Sequence, residues 1–72
     1  MKTYQLETIG YYCFPQFSSL KEAREALKEI LAHDMAKCQS RYGNAKKTKQ
    51  GEDSYRIEFG GNLYTAHQIR SY

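Results

Sequence analysis

"SLKEAREALKEILAHDMAKCQSRYGN", residues 19–44, is the longest patterned stretch in the chain, and the rest of the fold follows from it. Ser19 followed by Glu22 has the form of a capping box, in which the serine oxygen accepts from an orphan N–H of the first turn and the glutamate reaches back to the cap. Leu20, Ala23, Leu27, Ile30, Leu31, Met35 and Cys38 then recur at helical spacing and form one apolar stripe. Lys21, Glu22, Arg24, Glu25, Lys28, Glu29 and Lys37 line the opposite, water-facing side. No glycine or proline interrupts the run, so the helix is expected to reach about Arg41 and to stop at Gly43-Asn44, residue types that tolerate the left-handed conformation of a helix C-terminus.

A helix with a single apolar stripe needs a second layer, and alternating segments on either side provide one. Residues 2–9, "KTYQLETI", place Tyr4 and Leu6 on one face and Thr3, Gln5 and Glu7 on the other. Beyond the helix, "SYRIEF" sends Tyr55, Ile57 and Phe59 one way and Ser54, Arg56 and Glu58 the other, and "LYTAHQIRSY" returns after the turn "GGN". A three-residue loop there would bury Leu63, Thr65, His67 and Ile69; a two-residue turn would bury Tyr64 and Ala66 instead. Residues 45–49 form a further strand candidate, whose lysines suit an exposed edge. The reading is a single α+β domain over residues 1–72, with one long amphipathic helix on one face of a small antiparallel sheet of three or four strands, in the order β-α-β-β with a possible extra strand at 45–49.

Length and composition bound what such a domain does. The chain has 72 residues, 40% of them hydrophobic and 26% charged, with a formal net charge of +3. A folded domain this short buries about 60% of the surface its unfolded chain exposes, so its core is thin. It has neither an apolar run of membrane-spanning length nor a signal-peptide pattern, which points to a cytoplasmic protein starting at Met1. In that compartment Cys13 and Cys38 are expected as reduced thiols.

The segment "GYYCFPQF", residues 10–17, packs four aromatics around the only proline. Tyr11 to Phe14 is read as an extension of the first strand past a bulge at Gly10, closed by Pro15. Phe14 and Phe17 are expected in the core, and one of Tyr11 and Tyr12 outside it. Tyr11, Tyr12, Tyr42, Tyr64 and Tyr72 together are the candidate protein-binding residues, because tyrosine gives rigid contact area with a hydrogen-bonding tip. The competing reading is that they roof a thin core.

Arg41, Lys46, Lys47 and Lys49, with Tyr42 among them, form the one basic cluster and the candidate nucleic-acid site; the competing reading is a solvated edge strand. The chain lacks the usual nucleic-acid motifs, such as an RNP-type aromatic run, a GXXG loop or zinc-finger spacing. Cys13, Cys38, His33 and His67 match no zinc spacing, so neither a metal nor a cofactor is expected. A Cys38–His67 nucleophilic pair is formally available, with no sign of an oxyanion hole. Glu52 and Asp53 are read as turn residues.

The functional expectation is therefore a small non-enzymatic module that binds a protein partner or ribonucleoprotein complex and inhibits by occlusion. Size and missing motifs give it an analogy with phage and mobile-element inhibitors of the anti-CRISPR and counter-defence kind. Nucleic-acid binding is the alternative, and a homodimer is compatible with either because a thin sheet gains from being covered.

Overall fold

The computed structural model describes residues 2–72; Met1, read above as the start of the protein, lies outside them. The elements are β1 (Tyr4–Thr8), β2 (Gln16–Phe17), α1 (Leu20–Arg41), β3 (Ala45–Gly51), β4 (Ser54–Phe59) and β5 (Asn62–Ser71). All five strands belong to one antiparallel sheet in the order β2-β1-β5-β4-β3, with α1 packed on one face. The α+β class is as expected, but the strand count is five rather than three or four.

The added strand comes from the aromatic segment. Tyr11 to Phe14 does not extend β1; the chain reverses at Ile9-Gly10, where Gly10 has φ 84° and the Tyr11 N–H donates to the Thr8 carbonyl at 3.2 Å. It then returns along β1 as β2, pairing Gln16 with Gln5 and Phe17 with Tyr4. Pro15 does not close off the pairing, because a proline keeps its acceptor: its carbonyl takes the Leu6 N–H at 3.1 Å. Phe17 packs against the core as expected, whereas Phe14 is only half-buried and both Tyr11 and Tyr12 are exposed.

The helix follows its sequence closely. Ser19 caps it by accepting the Glu22 N–H at 3.2 Å, so the serine half of the capping box is formed. At the far end the Tyr42 N–H donates to the Cys38 carbonyl and the Gly43 N–H to that of Gln39, and Gly43 and Asn44 both take positive φ. The Gln39 side-chain oxygen then accepts the Ala45 N–H at 2.9 Å and ties the helix end to β3. Leu27, Leu31 and Cys38 meet Leu6 and Ile57 in the core, and Phe17, Ile30, Met35, Phe59 and Ile69 pack around it. Burial of each large apolar side chain there stabilises the fold by about 1.5–3 kcal/mol. Among the described residues no helix is long and apolar enough to cross a membrane, and both cysteines are free, Cys13 exposed and Cys38 fully buried.

The β4–β5 hairpin combines the two registers its sequence allows. Gly60-Gly61 makes a two-residue turn with φ 51° and 84°, and Phe59 faces Asn62 while Glu58 faces Leu63. A bulge then inserts Tyr64, so that Ile57 faces Thr65 and Tyr55 faces His67. Tyr64 packs against the core beside α1, as the two-residue turn requires, and His67 and Ile69 follow on the helix side, as the longer loop would require. Leu63, buried in the longer-loop register, is exposed, and Ala66, buried in the shorter one, pairs instead with Arg56 on the other face.

Because α1 starts beside β2 at one edge of the sheet and ends beside β3 at the other, it crosses the sheet diagonally over about 33 Å. Two opposite corners of the helix-side face stay uncovered. The other face carries no helix; there the Glu7 carboxylate accepts from the Gln68 and Gln5 amides and the Tyr72 hydroxyl, with Arg70 beside it at 3.5 Å.

Candidate binding groove beside the helix

The first uncovered corner lies between the C-terminal half of α1 and the ends of β1 and β5. It is a groove of about 390 Å³ whose walls are Ile9, Tyr11, Ile30, Lys37 and Tyr64 and whose floor is Thr8, Asp34 and His67. Gly10 sets its outer wall, because the reversal at positive φ swings Tyr11 back over the sheet end. The bulge sets the inner wall by adding Tyr64 to the helix side.

From Tyr64 the aromatic surface continues around the end of the helix. Tyr42 stacks on Phe59 with ring centres 4.0 Å apart and an interplanar angle of 7°, and Tyr64 meets both rings edge-on at 6.0 and 6.3 Å. Edge-to-face pairs are among the arrangements that the ring quadrupole favours. The Arg41 guanidinium lies 6.0 Å from the Tyr42 ring centre. Tyr11 is 68% exposed, Tyr12 97%, and Ile9 and Tyr42 are also exposed.

The floor is a chain of three polar side chains. His67, 2% exposed, lies with Nε2 2.6 Å from the Asp34 carboxylate and Nδ1 2.7 Å from the Thr8 hydroxyl. Both ring nitrogens are thus satisfied in a buried site, and α1, β1 and β5 are pinned together below the groove. A neutral ring that donates from Nε2 to Asp34 accepts the Thr8 O–H at Nδ1; a protonated ring donates to both oxygens. Threonine, histidine and aspartate are residue types of a nucleophilic triad, but here the ring is turned round, with the carboxylate on Nε2 and the hydroxyl on Nδ1. Cys38 makes no hydrogen bond with His67, whose two nitrogens are already taken.

Of the candidate tyrosines, the structure places Tyr11 and Tyr64 in this groove and Tyr42 beside Tyr64 at the end of the helix. Tyr12 projects next to Tyr11, and Tyr72 lies on the far face with its hydroxyl on Glu7. The basic cluster is dispersed: Arg41 sits at the aromatic end, Lys46 lies across from Glu58 in the strand register on the helix-free face, and Lys47 and Lys49 face the helix side opposite Ile57 and Tyr55. Sequence reasoning missed Thr8 and Asp34. The signal for Asp34 was present, since Leu27, Leu31, Asp34 and Cys38 follow a 4-3-4 spacing that puts a carboxylate in the middle of the apolar stripe.

Arg24, on the water-facing side of α1, has a partner too. Its Nε donates to Asp53 at 2.9 Å, and its Nη2 lies 3.4 Å from Glu52. The hydrogen bond to Asp53 raises the Arg24 pKa above its ordinary value. The two acidic turn residues therefore also anchor the β3–β4 turn to the start of the helix.

No protein-family model matches the chain, and no curated protein or solved structure matches it.

Proposed function

We propose that this chain is a non-enzymatic binding module that docks a protein through the aromatic groove between α1 and the ends of β1 and β5, and that acts by occluding its partner's surface. The observation that carries the reading is that Tyr11 and Tyr64, from separate segments, line one groove beside a pinned helix, with Tyr42 against Tyr64 at the helix end. Aromatic anchors around a partly apolar groove are what interface hot spots are made of, because they bury large area at little entropic cost. The buried Thr8–His67–Asp34 chain holds the floor still, and preorganisation of this kind strengthens binding without adding contacts.

An inhibitor of the counter-defence kind, working on a protein or ribonucleoprotein, fits this mode of action. Nucleic-acid binding has less in its favour, because Arg41, Lys46, Lys47 and Lys49 do not line a common path.

The test is an affinity pull-down of the tagged protein from lysate of its native host, with and without nuclease, using the native chain and the Tyr11→Ala variant. A stoichiometric protein partner that survives nuclease and is lost on Tyr11→Ala is the expected result. Partners that vanish with nuclease, or that the variant retains in full, contradict the reading.

A further inference from the structure

The second uncovered corner is a cleft of about 490 Å³ between the N-terminal half of α1 and the edge strand β3, floored by Leu27, Leu31 and Tyr55 and rimmed by Lys28, Lys47 and Lys49. Arg24, Glu52 and Asp53 close one end of it as an ion-paired group. Among the described residues none of the three lysines has a carboxylate within ion-pair distance. Three unneutralised ammonium groups thus surround a partly apolar cleft, alongside a sheet edge whose outer backbone groups have no neighbouring strand.

We infer that this corner is a second docking site, separate from the aromatic groove, and that its occupant is an extended acidic peptide segment of a partner protein, added as a sixth strand along β3. The charge selects the sign of the ligand, and the remaining contacts select its class. The Lys47 ammonium lies 5.6 Å from the centre of the Tyr55 ring, so a stacking nucleobase has to compete with it. The Arg24 fork is committed to Asp53 and Glu52, which removes the bidentate group that a phosphate would use best.

A peptide, by contrast, uses both the free edge and the lysines. Main-chain hydrogen bonds to a free edge supply affinity, and side chains on alternate positions supply specificity. Lys47 and Lys49 are two apart on β3 and share the helix side, facing Ile57 and Tyr55. Glutamates at two alternate positions of an added strand fall opposite them, with Lys28 reaching from α1. Edge lysines ordinarily block pairing with another strand, and an acidic strand is the one kind for which that block becomes an attraction. The register shift between Lys49 and Gly51 limits the site to Ala45–Lys49.

The experiment is a titration of the isotope-labelled chain followed by amide NMR, with the capped synthetic peptide TEVEVT, its glutamine counterpart TQVQVT, and the single-stranded oligonucleotide dT10. The expected result is saturable shifts at the amides of residues 45–49 and at Lys28 and Tyr55 with TEVEVT, slowed amide exchange along β3, and binding weaker by about tenfold with TQVQVT or in the Lys47→Gln/Lys49→Gln double variant. Tyr11→Ala leaves all of this unchanged, so the outcome is independent of the aromatic groove. Equal binding of both peptides, tighter binding of dT10, shifts centred elsewhere, or no shifts would each overturn the proposal. The exposed lysine variants keep the spectrum dispersed, which verifies that they fold.

Discussion

The two corners that α1 leaves uncovered have one geometric origin and opposite chemistry. Both exist because a helix of 22 residues runs from one edge strand to the other and so covers only a diagonal of the sheet. At the C-terminal corner the neighbours are Ile9, Tyr11 and Tyr64 over a pinned polar floor; at the N-terminal corner they are lysines at a free strand edge. The aromatic corner is preorganised by three segments that lock one another, while the lysine corner rests on long, solvated side chains. Rigid anchors give affinity, and loosely held charge gives steering and selection of sign.

The largest expected effect removes what the two corners share. Ile57→Ala or Leu27→Ala empties the core under both, and should cost about 2–5 kcal/mol in urea unfolding, with both corners lost together. A variant that lowers the unfolding midpoint while leaving one corner native would show that the corners do not rest on a common core. Next comes the proposed docking itself: Tyr11→Ala should weaken the captured partner by about 30-fold with little change in folding, whereas Lys47→Gln should not.

Asp34→Ala acts on one corner only. It leaves the buried Nε2 of His67 without a partner and should cost about 1–3 kcal/mol, with amide shifts concentrated at Thr8, His67 and the aromatic groove; Asp34→Asn, which keeps an acceptor, should cost less. Equal losses for alanine and asparagine would mean that the hydrogen bond is not what holds the floor. The smallest effect belongs to Arg24→Ala, since exposed ion pairs contribute little; it should barely move the unfolding midpoint while loosening the turn at Glu52-Asp53, seen as faster amide exchange there.

The helix was legible almost to the residue because cap, stripe and terminator all agree locally: Ser19, the apolar spacing and Gly43-Asn44 each act within one turn of the chain. β4 was legible for the same reason, through strict alternation. β2 was not, because a two-residue strand has no period to read, and its pairing depends on a reversal at Gly10 that brings Pro15 back to Leu6. The hairpin register resisted sequence reading because a tight turn and a bulge at Tyr64 act in opposite directions.

For the candidate site, residue type was legible and placement was not. Tyrosine chemistry marked Tyr11, Tyr42 and Tyr64, but only the fold brings Tyr11 and Tyr64 to one groove with Tyr42 next to Tyr64, and leaves Tyr72 on the far face. The basic run looked continuous along the chain, yet strand alternation sends Lys46 to one face and Lys47 and Lys49 to the other. Asp34 was the clue left unused: a carboxylate inside an apolar stripe needs a buried partner, and His67 was the polar residue on the facing strand.

The most direct test of the aromatic corner as the partner-binding surface is hydrogen–deuterium exchange of the chain alone and in complex with the partner it captures. Slowed exchange at residues 8–11, at the C-terminal half of α1 and at Tyr64 and Thr65 is the predicted result. Protection confined to the helix-free face, or to β3 alone, would contradict it.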